Sequence, residues 1–300
     1  MKQSLAIFVV LILGIIFPQG HQLTYLIRYN LMVMLVFAFV QIKFRRDLVQ
    51  LQHLWIVLCN LALGLFAYAA TRWLGPTISM AAFCVCIAPT AAAAPVIAVF
   101  LRTRIDFVTI SVLMTSPAIA AVLPFLLPQL LEVDQPIAVL DVMLPIAMIV
   151  GVPLLLSYLL KQVGPVATKW IQRYKTIPFY LFLANIWVAS GRATYFIRYE
   201  TNGQYSELWI IGLVVAILCL LNFKLGEWIL GKEAAYAGGL SLGRKNSMFV
   251  LWLALTFVNP MAALGPIFYI LYQNIYNGIQ IYQVEKKNRL STFNDLNPLQ

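Results

Sequence analysis

The chain has 300 residues, 62% of them hydrophobic and 11% charged, with a mean hydropathy of +0.85. Soluble domains carry about 25% charged residues, so this composition belongs to an integral membrane protein. The net charge of +10 comes from basic residues dispersed along the chain, which is not a nucleic-acid signature.

Cys59, Cys84, Cys86 and Cys219 all lie inside apolar stretches, so no disulfide framework is indicated. His21 and His53 stand in polar connections at opposite ends of a span. They assemble neither a metal-ligand cluster nor a Ser/His/Asp or Cys/His set. An enzyme, a cofactor and a metal are therefore not expected.

Apolar runs of spanning length, separated by polar or Pro/Gly punctuation, predict ten helices. Their approximate extents are 4–18, 23–42, 54–74, 77–101, 107–131, 137–160, 177–197, 206–230, 234–257 and 260–284. Lys2 followed by the apolar stretch 5–17 has the outline of a signal peptide. No small-residue cleavage site precedes Phe17-Pro18-Gln19-Gly20, so it reads as a short first span. No linker divides the chain. The expectation is one transmembrane domain over 1–284, with halves at about 4–131 and 137–284, and a polar, disordered cytoplasmic tail over 285–300.

Basic residues set the orientation. With the N-terminus in the cytoplasm, inner segments hold Lys2, Lys43, Arg45, Arg46, Arg102, Arg104, Lys161, Lys169, Arg173, Lys175, Lys224, Lys232, Lys286, Lys287 and Arg289. Outer segments hold Arg28, Arg72, Arg192 and Arg198, with Glu132 and Asp134 also outside. About fifteen against four places both termini in the cytoplasm, and the expected location is a bacterial inner membrane.

Two spans are unusual. The ninth carries Arg244 and Lys245 near its middle, just after Gly238, Gly239 and Gly243, which weaken a helix. A charge at a helix centre costs about 2.5–3.5 kcal/mol on insertion scales, so both must face a polar cavity. The other reading, a span ending early, leaves 248–257 too short to cross. The fourth carries Pro89 and Pro95 near its middle, so it should be kinked or broken, and Ala91 to Ala94 between them permit close backbone approach. Spans four and nine hold equivalent places in the two halves. Matched interrupted helices point to inverted repeats crossing at a midplane site. Span five, with Pro117, Pro124 and Pro128, and span ten, with Pro260 and Pro266, add a looser match.

At these two spans the sequence resembles the bile acid:sodium symporter family and its superfamily. The resembling residues are Pro89-Thr90-Ala91-Ala92-Ala93-Ala94-Pro95-Val96 leading into Phe100-Leu101-Arg102, and Ser241-Leu242-Gly243-Arg244-Lys245-Asn246-Ser247 followed later by Asn259-Pro260. Phe17-Pro18 adds faint support. The resemblance implies ten helices in a panel and a core domain, spans four and nine crossing in the core, and transport of an organic anion by alternating access. It also implies sodium sites, and there this chain departs. Ser241 stands where sodium-binding members have a glutamate, Lys245 where they have a glutamine, and Ala94-Pro95 where they have a Ser-Asn pair. Thr90 stands where the arsenite-efflux branch has a cysteine. The acidic residues lie in connections or near span ends, so no carboxylate is expected at mid-membrane.

The function expected is therefore secondary transport of a small organic anion, such as a carboxylate or sulfonate, without the family's sodium. Half-helix N-termini would offer N–H groups, Arg244 a bidentate grip and Lys245 a compact charge. Asn246, Ser247, Thr90, Thr115 and Ser116 would supply neutral hydrogen bonds. Asn60 and Asn185 are further candidates, although each also suits a plain interhelical hydrogen bond. Lys245 is the one group there able to exchange a proton, which leaves proton-linked transport open. Alternatives are a non-transporting receptor or assembly subunit with the same fold, and a sodium symporter with an atypical site.

Overall fold

A computed structural model describes residues 2–41, 48–131, 138–163, 171, 173–174, 176–200 and 206–296. Lys43, Arg45, Arg46, Glu132, Asp134, Lys169 and Lys175 lie outside the described residues, as do 297–300. The described chain is helical, with no strand beyond one isolated bridge. The helices are α1 Lys2–Ile16, α2 Leu26–Gln41, α3 Leu51–Thr71, α4 Pro76–Ile87, α5 Ala94–Phe100, α6 Ile105–Leu130, α7 Val139–Gln162, α8 Ile177–Tyr195, α9 Ser206–Leu230, α10 Ala235–Gly243, α11 Ser247–Phe257 and α12 Leu264–Leu296.

Their ends fall within about four residues of the predicted runs, apart from the last. α12 does not stop at 284 but continues to Leu296. The expectation of a disordered tail from Glu285 is corrected to that extent. Glu285, Lys286, Lys287, Arg289 and Leu290 are good helix formers and carry the helix on for about three further turns.

Among the described residues four stretches, Leu51–Leu74, Ile105–Leu130, Val139–Gln162 and Ser206–Leu230, are long and apolar enough to cross a membrane. On α9, Trp209 and Trp228 are 75% and 78% exposed. Nineteen residues apart on a helix is about 28 Å, close to the ~30 Å of a hydrocarbon core with aromatic side chains at its two faces.

The helices pack in two groups. In one, α1 lies on α8 and α2 on α7 and α8. Gly14 lets α1 approach so closely that a Cβ there would collide with the Ser190 hydroxyl. Asn30 Nδ2 donates to Asn185 Oδ1 at 2.8 Å, which joins α2 to α8 inside the bundle. The other group contains α3 to α6 and α9 to α12. There α9 and α10 meet at Gly226 and Gly238, each filling the space where the other's Cβ would stand. Gly243 likewise has the Phe223 ring against it. Gly238 and Gly239 thus sit inside α10 as a packing surface, and the helix breaks only after Gly243.

With α4 and α5 taken as one span, and α10 and α11 as another, the packing repeats between the halves of the chain. α1 packs on α8 as α7 packs on α2. α3 packs on α4 as α9 packs on α10. α6 touches α5 and α10 as α12 touches α11 and α4.

Candidate functional site

The site is made by two helix breaks that face each other. Pro89 has no N–H to continue α4, and a residue before proline avoids helical angles. Ala88 accordingly turns out at φ −51°, ψ 133°. The helix restarts as α5 with Pro95 in its first turn, where the missing N–H costs nothing. In the other span Arg244 is extended at φ −83°, ψ 92°. α11 then starts after Asn246, whose Oδ1 caps the Phe249 N–H at 3.3 Å.

Thr90 lies opposite Lys245 in antiparallel pairing. The Ala91 N–H donates to the Arg244 carbonyl at 2.7 Å, and the Asn246 N–H to the Pro89 carbonyl at 2.7 Å. Backbone groups released by both breaks therefore satisfy each other, which a dry interior requires.

Lys245 is 2% exposed and points into the broken end of α4. Its Nζ donates to Asn60 Oδ1 and to the Cys86 carbonyl, the latter at 2.7 Å. The Asn60 amide donates in turn to the Ile87 and Ala88 carbonyls at 3.4 and 3.0 Å. An ammonium among oxygen acceptors at a helix C-terminus meets the negative end of the helix dipole. Among the described residues neither Lys245 nor Arg244 has a carboxylate partner.

Arg244 points the other way, towards α12. Its Nη1 donates to Asn274 Oδ1 at 2.9 Å and Asn277 Oδ1 at 3.1 Å. Its Nε is buried with no partner, and Nη2 makes no bond to a described residue. From Asn277 the bonds run on. Asn277 Nδ2 donates to Gln280 Oε1 at 2.9 Å, and Gln280 Nε2 to Glu227 Oε1 at 3.0 Å. Glu227 also accepts from Tyr276 at 2.9 Å and Lys224 at 2.8 Å.

Most of the residues expected at a site are drawn together here. Thr90 takes its backbone bond to Thr115 Oγ1 at 3.0 Å and gives its hydroxyl to the Ser241 carbonyl at 2.5 Å. Ser247 Oγ accepts from Gln273 Nε2 at 3.3 Å. Ser116 is buried beside Thr115 without joining these bonds. Ser241 is buried with its own hydroxyl unpartnered. Ala94 and Pro95 open α5, where Ala94 N–H donates to Ala91 O at 2.9 Å. Asn60 belongs to the crossing, whereas Asn185 stands apart as the interhelical partner of Asn30.

The polar face of α12 was not among the expected site residues. Gln273 holds the Lys245 N–H at 3.0 Å, and Tyr269 gives its hydroxyl to the Gly243 carbonyl at 2.8 Å. The signal was present. Gln273, Asn277 and Gln280 recur at the spacing of one helix face inside an apolar run.

No family model matches the chain, and comparison with curated proteins finds no relative.

Proposed function

We propose that this chain is a secondary transporter of a small organic anion, built as two inverted five-span repeats of the bile acid:sodium symporter kind. It works by alternating access in a bacterial inner membrane, with both termini in the cytoplasm. An odd number of crossings per half reverses the second half relative to the first. The repeated packing of the two halves supports that arrangement. The first packing group would be the panel and the second the core.

The observation that carries the reading is Arg244 at the crossing. A guanidinium with a buried, unbonded Nε and, among the described residues, neither a partner for Nη2 nor a carboxylate to neutralise it has unused capacity for an anion. Asn274 and Asn277 hold Nη1 and so fix the direction of the free edge. The N-terminus of α11, next in the chain, adds favourable potential for negative charge. Lys245 takes a different part. Its ammonium lies among oxygen acceptors, as a metal cation would, and acts as a tethered ion.

The test is uptake of labelled short carboxylates and sulfonates into liposomes holding the purified chain. The wild type should accumulate one class, and Arg244→Met should reduce that flux by about a hundredfold while remaining folded, as expected for a lost charge-assisted pair. Normal flux in Arg244→Met would make the guanidinium structural. No flux of any anion in the wild type would favour the receptor reading.

A further inference from the structure

A second cationic position lies away from the crossing. The turn into α2, the first half of α7 and the last half of α11 line a half-open cavity of about 310 Å³, formed by Thr24, Tyr25, Arg28, Tyr29, Trp252 and Thr256 together with Pro145. Ligand sites begin at about 300 Å³, so the space suits a small head group. None of its lining side chains is a carboxylate.

The donors and acceptors of this lining are unequal. Thr24 has already given its hydroxyl to the His21 carbonyl at 2.6 Å, and Thr256 to the Trp252 carbonyl at 2.8 Å. Among the described residues Arg28 makes one hydrogen bond, from Nη2 to the Met148 sulfur at 3.7 Å, a weak acceptor, and its guanidinium lies over the Tyr29 ring at 5.9 Å from the centroid. Its Nε is buried without a partner. The Trp252 indole N–H makes no hydrogen bond to a described residue, although the ring is buried. The cavity is therefore lined by a guanidinium with donors to spare and by an indole ring, with tyrosine rings and Leu255 beside them. That chemistry takes a monoanionic head on a short apolar body.

We propose that this cavity is an anion site, separate from the crossing, for the carboxylate or phosphate head of an amphipathic molecule. Two sources have that chemistry, a soluble aliphatic acid and an anionic phospholipid. The inference does not rest on transport, because its test reads binding.

Full-length protein in a neutral detergent is titrated calorimetrically with decanoate and, separately, with decanol. In parallel, protein from nanodiscs of phosphatidylglycerol or phosphatidylcholine is weighed intact for retained lipid. Saturable binding of decanoate but not decanol, weakened about tenfold or more by Arg28→Gln and about threefold by Trp252→Phe, supports the site and a soluble source. Retention of phosphatidylglycerol by the wild type, lost in Arg28→Gln, supports the site and a lipid source. Equal binding of decanoate and decanol with no lipid preference overturns the proposal, and this arm needs only the wild type. Undiminished anion binding by a folded Arg28→Gln overturns it as well.

Discussion

At the scale of residues, the crossing depends on how a lysine with no carboxylate partner among the described residues is kept in a dry interior. Removing an ammonium from water costs several kcal/mol, and a single hydrogen bond does not recover that. Lys245 has Asn60 Oδ1, the Cys86 carbonyl and the end of the α4 dipole, which together replace its hydration. Asn60 is equally dependent, because its oxygen has that ammonium as donor while its amide holds two end carbonyls of α4. Each residue alone should therefore be costly to remove. Asn60→Leu leaves a buried charge short of an acceptor and is expected to destabilise by about 3–5 kcal/mol. Lys245→Met leaves the Asn60 oxygen unpaired, at about 1–3 kcal/mol. The double variant should lose less than the sum, with a coupling of about 0.5–3 kcal/mol. Denaturant unfolding of the four proteins in detergent measures the cycle, and additive losses would show that the two side chains do not share a bond. Arg244 is not covered by the same reasoning. Its free edge predicts a loss of flux on substitution rather than a loss of stability.

At the scale of elements, the close pairing of α9 with α10 sets where the break after Gly243 lies. A Cβ at Gly238 would run into the Gly226 carbonyl, and a backbone carbonyl cannot rotate aside as a side-chain tip can. Gly238→Ala should separate the two helices and lower the midpoint of thermal unfolding by several degrees, about 1–3 kcal/mol of overpacking. Gly151 and Gly278 also lie in helices, but nothing stands within 4 Å of a Cβ there. Gly151→Ala and Gly278→Ala should leave the midpoint unchanged or slightly raised. Equal loss in all three would mean that helix propensity, not contact, governs these positions. The contrast also shows what was legible in advance. Pro89 and Pro95 act through their own backbone, so the break in the fourth span could be read directly. The charges of Arg244 and Lys245 announced the second. That Gly238 is a contact surface and not a weak point depends on α9, which a single helix does not record. Neither does the meeting of Thr90 with Lys245, nor the contribution of Gln273 and Asn277 from α12, although their spacing on one face was visible. The opposite directions of Arg244 and Lys245, neighbours in sequence, follow from extended backbone at the break, where successive side chains alternate.

At the scale of the whole molecule, the tethered ammonium bears on what could drive the proposed transport. Lys245 comes from the α10–α11 break and binds α3 and the end of α4, so it locks together elements of both halves of the core. Motion of that core against the α1, α2, α7 and α8 group would then leave the charge in place through the cycle. In a symporter the coupling cation must enter and leave in order to tie its gradient to the substrate. Two like charges about 4 Å apart repel by roughly 4 kcal/mol at an effective dielectric of 20, so a sodium ion should not share this position. Flux should therefore be the same with sodium replaced by choline on both sides of the vesicle. Without a travelling cation, a monoanion also carries its own charge across. Each charge moved through 100 mV is worth about 2.3 kcal/mol, so an inside-negative potential set with potassium and valinomycin should depress accumulation by roughly fiftyfold. If protons travel instead by way of Lys245, the potential will have little effect, flux will follow the pH gradient, and Lys245→Gln will lose that dependence. A collapse of flux in choline, restored by sodium, would place a cation site outside the residues at the crossing and remove the tethered ion from the mechanism.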